Sequence, residues 1–257
     1  MPNLIPEDFT NAGYLPSNTD KPTPKLHLVS SDSLDAFREN LSDVDLQWLA
    51  RQSFTGKANQ VAWLGNGDGV IGSAGQDSLS TLGHLPFALP EGMYRLAGEA
   101  SFLALLGWGL GSYQFTRYKA AERGPAQLIL PQQADAAQLV NTVTATNLTR
   151  DLINTPAQDM APSHLQAEVE ALSQTFDATV NTAIGDALLD IECGAIHAVG
   201  RAADDAPRLM DLTWGDPSNP KVTIVGKGVT FDSGGLNLKP SAGMRLMKKD
   251  MGGAAIA

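Results

Sequence analysis

Residues 222–235, VTIVGKGVTFDSGG, place closely spaced glycines and charged residues directly after a β-branched apolar run. A run such as 222–225 is typical of a buried strand. Glycines flank Lys227, and a second glycine pair follows Asp232 after one residue, so the chain can turn or approach a ligand closely there. The segment therefore predicts a strand covered by other elements, with charged residues at its end.

Strand-like and helix-like segments alternate along the rest of the chain, which predicts an α/β fold. We expect two domains. Residues 1–126 would form a small N-terminal α/β domain with an irregular arm at 1–25. Residues 127–257 would begin a second domain with a mostly parallel, helix-flanked sheet. The predicted strands are 25–29, 60–64, 70–72, 127–131, 178–180, 208–214 and 221–225, and the main predicted helices are 33–49, 98–108, 134–154 and 165–176. The glycine-rich turn at 65–69 predicts a hairpin of 60–64 with 70–72, and Pro156 predicts that the long helix ends at 154.

Two lysines and two aspartates, Lys227, Asp232, Lys239 and Asp250, follow the strand predicted at 221–225. Ligands of parallel α/β sheets bind beyond the carboxyl ends of the strands. Carboxylates suit a divalent metal there, and a lysine can join them as a neutral amine because the metal displaces its proton. A surface loop with two ordinary ion pairs is the competing interpretation. A phosphate-binding P-loop is excluded, because Lys227 is followed by glycine rather than Ser or Thr.

GKGVTFDSGGLNLKPSAG, followed by MKKDMGGAA, resembles the core motif of the leucyl (cytosol) aminopeptidase family, the M17 metallopeptidases. The stretches 100–119 and 151–165 resemble two further family segments. The resemblance implies that Lys227, Asp232 and Asp250 are metal ligands, with Asp232 shared between two metals. It implies that Lys239 is catalytic and polarises the substrate carbonyl. It suggests Met247 as a wall of the substrate pocket, with ordinary loop packing as the alternative.

The family resemblance also carries expectations about chemistry and assembly. It implies two divalent metal ions, manganese or zinc, and allows for a bicarbonate in the full-length enzyme. The expected reaction releases N-terminal, leucine-like amino acids from a peptide substrate. A homo-hexamer is expected on the same ground.

One family motif, NTDAEGR, does not occur in this sequence. It would add an Asp and a Glu to the metals, whereas Asp232 and Asp250 bring two negative charges against four positive ones. We therefore expect the chain to be the N-terminal portion of a longer enzyme, ending inside the catalytic domain and inactive alone. The alternative is a non-catalytic binding or assembly subunit with a vestigial half-site. A weaker third hypothesis is an anion-binding α/β protein.

Composition limits the remaining classes. A formal net charge of −10 argues against a nucleic-acid surface. The single cysteine, Cys193, excludes an internal disulfide and is expected to be a core residue. Neither a signal peptide nor a membrane-spanning run is recognisable, so we expect a cytoplasmic protein without a membrane partner.

Overall fold

The structure, a computed structural model, describes residues 6–73, 75 and 77–257. The chain divides into two compact units, Met1–Asn147 (unit 1) and Leu148–Ala257 (unit 2). The functional domain boundary expected at 126/127 stays a prediction.

Unit 1 contains a six-stranded sheet with strand order β1-β6-β5-β2-β4-β3. Its strands are β1 (Tyr14–Leu15), β2 (Lys25–Ser30), β3 (Val61–Trp63), β4 (Gly69–Ser73), β5 (Met93–Leu96) and β6 (Gln127–Ile129). Its helices are α1 (Pro6–Asn11), α2 (Leu34–Arg38), α3 (Asp43–Arg51), α4 (Ser80–Gly83), α5 (Leu85–Ala88) and α6 (Phe102–Gly111), followed by the start of α7 (Ala136–Asn154). All neighbouring strands are parallel except the β3–β4 pair. The expected α/β class and a mostly parallel, helix-flanked sheet are confirmed.

The β3–β4 hairpin forms where the sequence predicts it. The Asn66 side-chain oxygen accepts the Asp68 amide at 2.9 Å, and the Leu64 amide donates to the Asp68 carbonyl at 2.8 Å. These bonds close the turn and set the two strands antiparallel, with Val61 opposite Ile71. Strand β4 then lies between β2 and β3, where Val70 and Ile71 are completely buried.

Part of the expected irregular arm is ordered. Residues 1–5 lie outside the described part of the chain, but α1 and β1 follow them. Tyr14 is fully buried, and its hydroxyl donates to the Leu105 carbonyl of α6 at 2.7 Å. The Trp108 indole donates to the Gly13 carbonyl at 2.9 Å. Buried hydrogen bonds of this kind fix the arm to the core, although its Pro- and Asn-rich composition gave no sign of them.

Unit 2 holds the end of α7, a two-stranded sheet and several helices. After α7 come a 3₁₀ helix (Ala157–Asp159), α8 (Pro162–Phe176), β7 (Thr179–Ile184), α9 (Ala187–Asp190), α10 (Gly194–Gly200), β8 (Arg208–Thr213), α11 (Ser241–Leu246), a second 3₁₀ helix (Met247–Met251) and α12 (Gly252–Ile256). A small core of Leu152, Met160, Leu165 and Met251 joins α7, α8 and the second 3₁₀ helix.

Two expectations for the second half of the chain are wrong. The mostly parallel sheet lies in unit 1, to which residues 127–257 contribute β6, and the later strands β7 and β8 pair with each other antiparallel. Residues 221–225 form no strand, and Val222, Ile224 and Val225 are 82%, 71% and 89% exposed. A β-branched run becomes a strand only when another strand takes its backbone hydrogen bonds, and the described residues place none beside it.

Within the described part of the chain, none of the helices combines the length and the apolar character that a bilayer crossing requires.

Candidate metal centre

The main chain at Lys227 is docked on the start of α12. The Ala254 amide donates to the Lys227 carbonyl at 2.9 Å. The two segments lie so close that a Cβ on Gly253 would be 2.9 Å from the main-chain nitrogen of Lys227. A Cβ on Gly226 would be 2.5 Å from the Ala254 Cα. Only glycine permits this approach at these two positions. The small residues around 226 and 253 thus bring Lys227 to the helix that follows Asp250.

Asp250 lies in the 3₁₀ helix before α12, and lysines contact both its main-chain carbonyl and its side-chain carboxylate. The Lys227 ammonium donates to the Asp250 main-chain carbonyl at 3.1 Å. The Lys249 Nζ lies 3.0 Å from the Asp250 Oδ1. The hydrogen bond from Lys249 lowers the pKa of Asp250 most, and the charges of Lys249, Lys227 and Lys239 lower it further. The carboxylate therefore stays ionised and able to bind a cation at neutral pH.

Asp232 is paired with Lys239. The Lys239 Nζ lies 3.0 and 3.2 Å from the two Asp232 carboxylate oxygens. The side chains of Lys239 and Asp232 are 42% and 37% exposed, so the pair is open to solvent. Positive φ angles at Gly234 and Gly235 provide the turn that returns the chain towards Asp232.

The structure therefore brings together the four charged residues singled out by the sequence. Lys227 bonds to Asp250, Lys239 bonds to Asp232, and the charge of Lys239 acts on Asp250. Their position differs from the expectation: they project from irregular segments and a 3₁₀ helix rather than from the carboxyl ends of parallel strands. Met247 is only 3% exposed, and its role as a pocket wall stays a prediction.

These residues fit part of a divalent metal site. Two carboxylates and one amine are donors that manganese and zinc both accept. Each carboxylate already pairs with a lysine ammonium group: Asp232 with Lys239, and Asp250 with Lys249. In the described part of the chain, however, no group of three or more His, Cys, Asp or Glu residues converges as metal ligands. The set therefore matches a partial ligand shell in which the lysine amine is needed.

Other residues with reactive side chains lie elsewhere in unit 2. Nε2 of His197, in α10, lies 3.0 Å from Oδ1 of Asp186, the exposed residue that precedes α9. His164 Nδ1 accepts the Ala161 amide at the start of α8, which is a capping role. Cys193 is partly exposed at the start of α10, so the expected core position is wrong.

Sequence reasoning gave no role to two residues that contact this site or its support. Lys249 binds the Asp250 carboxylate, and Lys248 donates to the Asn154 carbonyl at 3.0 Å. Their place next to Asp250 was a usable signal. The atoms that these two lysines contact could not be predicted, because consecutive side chains of a 3₁₀ helix point in different directions.

Two family models match this chain. The model described as the catalytic domain of the cytosol aminopeptidase family matches residues 147–257, and the M17 aminopeptidase N-terminal domain matches residues 24–131. The chain belongs to the cytosol aminopeptidase (M17) family. The family resemblance in the sequence is thereby confirmed, and it extends over both halves.

Individual relatives agree with the family assignment. A probable cytosol aminopeptidase of Halorhodospira halophila is 34% identical over 221 residues, which is 80% of this chain and 42% of the relative. A probable cytosol aminopeptidase of Clostridium perfringens is 34% identical over 167 residues, 58% of this chain and 34% of the relative.

Solved structures of this family share the fold. The cytosol aminopeptidase of Coxiella burnetii superposes with a TM-score of 0.86 at 39% identity, covering 94% of this chain and 55% of that chain. The bottromycin maturation enzyme BotP in complex with Mn gives a TM-score of 0.68 at 27% identity, over 91% of this chain and 53% of that one. This chain thus spans about half the length of these two solved structures.

Proposed function

We propose that this M17 family member contributes to a two-metal aminopeptidase that releases N-terminal, leucine-like amino acids from peptides. The observation that carries the proposal is the convergence of Lys227, Asp232, Lys239 and Asp250 in one part of unit 2. Family membership supports metal-dependent peptidase chemistry, and the manganese complex of BotP supports a divalent ion of that kind.

Asp232 and Asp250 would hold the metals as carboxylates, and Lys227 would join them as a neutral amine. When bound, divalent metals lower the pKa of a water molecule and polarise a carbonyl group. Lys227 must lose a proton to ligate, and its amine can still donate to the Asp250 carbonyl, because a neutral amine keeps two N–H groups. Lys239 would exchange its contact with Asp232 for the substrate oxygen that gains negative charge.

The finer parts of the proposal rest on family resemblance. They are two ions of manganese or zinc, a bicarbonate base in the full-length enzyme, a homo-hexamer and a cytoplasmic location. Two carboxylates balance only half the charge of two divalent ions, so we infer that further acidic ligands complete the centre. The aminopeptidase assignment therefore includes the proposal that this chain is incomplete as an active site.

The proposal is tested by titrating the chain with Mn²⁺ and Zn²⁺ in a calorimeter. Leucine-p-nitroanilide hydrolysis is assayed in parallel in this chain, which is expected to be inactive, and in a longer version that carries the remaining ligands, which is expected to be active. We expect metal binding that Asp232→Asn and Asp250→Asn each weaken by at least about tenfold, since each removes a ligand charge. Asp190→Asn is the control, because Asp190 is an exposed carboxylate of α9 outside the site. Absence of metal binding in the unmodified chain would refute the proposal.

A second candidate is a binding or assembly subunit without catalysis. It is favoured by one observation, the absence of a cluster of three or more His, Cys, Asp or Glu ligands in the described residues. It predicts that the chain binds metal without hydrolysing peptides. It predicts the same for a longer version that also contains the further acidic ligands of the family. Turnover by the longer version that Asp250→Asn abolishes would exclude it.

A further inference from the structure

Lys248 binds the carboxyl end of α7. Its Nζ donates to the main-chain carbonyl of Asn154, the last residue of the helix, at 3.0 Å, and the contact is partly buried. The final carbonyls of a helix have no partner within the helix and carry partial negative charge. The last turn of α7 has no basic residue of its own and contains Asp151. Lys248 therefore adds a cation at the end of this helix, one turn beyond Arg150.

A second contact holds the same segment further along the chain. The Thr149 hydroxyl donates to the Ala255 carbonyl at 2.9 Å. Between the two contacts, Met251 is completely buried, and a Cβ on Gly252 would lie 3.3 Å from the Ile153 Cδ1. Residues 248–255 are thus fixed to α7 on both sides of Asp250.

The contact of Lys248 bears on the site because Asp250, two residues further along the same 3₁₀ helix, is bound by two other lysines. Lys249 binds the Asp250 carboxylate, and Lys227 donates to the Asp250 carbonyl. The position of Asp250 therefore sets both its own carboxylate and the direction of the Lys227 amine. Groups that orient metal ligands from outside commonly change metal affinity by about 10- to 100-fold when removed.

We propose that Lys248 is a positioning residue of the metal centre, which holds Asp250 and, through the Asp250 carbonyl, Lys227. This inference rests on the proposed function, because it concerns the ligands of that site. Lys248 touches neither carboxylate in the structure; it acts through the 3₁₀ helix that it fixes to α7.

The test compares Lys248→Met, Lys248→Arg and Lys221→Met in the full 257-residue chain. Methionine keeps the length and apolar stem but has no donor, whereas arginine keeps a cationic donor for the Asn154 carbonyl. Lys221 is exposed and lies outside the site, so its substitution controls for the loss of one positive charge.

We expect Mn²⁺ affinity, measured by calorimetry, to fall about tenfold in Lys248→Met and to return to within about threefold of the unmodified chain in Lys248→Arg. The absorption spectrum of bound Co²⁺ is expected to change in Lys248→Met only. In the metal-free protein, the Ala254 amide, which donates to Lys227, should exchange its hydrogen faster in Lys248→Met. If Lys248→Met does not fold, Lys248→Leu, which also has no donor, replaces it with the same expectations.

Unchanged Mn²⁺ affinity in Lys248→Met, with binding intact in the unmodified chain, would overturn this inference and leave the proposed function standing. Equal losses in the Met and Arg variants would also overturn it, since they would indicate disturbed packing rather than a missing donor. If the unmodified chain binds no metal, the proposed function fails and the inference fails with it.

Discussion

Two β-branched segments of similar composition have opposite surroundings in the two units. Val70 and Ile71 of β4 are completely buried in the sheet of unit 1. Val222, Ile224 and Val225 of unit 2 are between 71% and 89% exposed. The difference lies in their neighbours, because β4 pairs with β2 on one side and β3 on the other. Composition therefore indicates that a segment can be a strand, and pairing decides whether it is one.

The units also differ in what their buried contacts do. In unit 1 the arm and α6 are held by hydrogen bonds from Tyr14 and Trp108 inside an apolar core. In unit 2 the segments around Lys227 and Asp250 are held by glycine contacts and by lysines that donate to main-chain carbonyls. The first arrangement fixes a sheet, and the second places charged side chains in an open position.

The largest expected effect on stability comes from shortening an isoleucine in each of the two apolar segments. Ile71→Ala should lower the free energy of unfolding by about 2–5 kcal/mol, because it leaves a cavity in a fully buried position. Ile224→Ala should change it by no more than about 0.5 kcal/mol, since its side chain is 71% exposed. Denaturant unfolding of this chain measures both, and a large effect of Ile224→Ala would show that residues 222–225 are buried in solution.

A smaller effect is expected at the glycine contact of unit 2. Gly253→Ala would place a Cβ 2.9 Å from the main-chain nitrogen of Lys227 and should lower the free energy of unfolding by about 1–3 kcal/mol through overpacking. Because the same change separates Lys227 from α12, Mn²⁺ binding should weaken too.

Gly243→Ala is the matched control for that change. Its Cβ would meet Lys239 Cβ at 3.6 Å, an ordinary contact, and it lies in α11. Stability and Mn²⁺ affinity are expected to stay the same or to rise slightly. Equal losses in both variants would show that the close approach at Gly253 is not what holds Lys227.

The smallest effect concerns acid stability in unit 2. Burial alone would raise the pKa of Asp205, but hydrogen bonds from the Ser163 hydroxyl and amide, together with the charge of Arg208, lower the pKa below its ordinary value. The stabilisation is therefore fully present above the unfolded-state pKa, near 4, and is lost as the pH falls through the lower folded-state pKa.

Asp205→Asn should accordingly cost about 1–2 kcal/mol at pH 6 and progressively less below pH 4, because the ionised partner is what the hydrogen bonds stabilise. Unfolding at a series of pH values measures this cost. A cost that does not change between pH 6 and pH 2 would mean that the Asp205 charge contributes nothing to the α8–β8 contact.

Parts of both units were predictable from local patterns. The turn at 65–69 gave the β3–β4 hairpin, and Pro156 correctly placed the end of α7 at Asn154. These signals are local: a turn needs a few residues in sequence, and a proline disfavours helix at the residue before it. The ordered arm was not predictable, because Tyr14 and Trp108 find their partners about 90 residues away.

In unit 2 the sequence named the charged residues of the site but misplaced their support. Residues 221–225 were expected to be a strand that opens the site, and they are exposed and unpaired with any strand of the described chain. The close approach of Gly226 to Ala254, and the contact of Lys248 with Asn154, depend on segments 28 and 94 residues apart. No local pattern encodes such distances.

The sequence by itself determined the α/β class, the family and the set of charged residues, because strand and helix periods, turn chemistry and a long motif are read directly from residue order. Only the tertiary structure decided which apolar run is buried, which half holds the parallel sheet and which lysine contacts which oxygen. The physical reason is that burial and ion pairing depend on partners brought close by the folded chain. A residue's own identity fixes what it can bind, and its neighbours in space fix what it does bind.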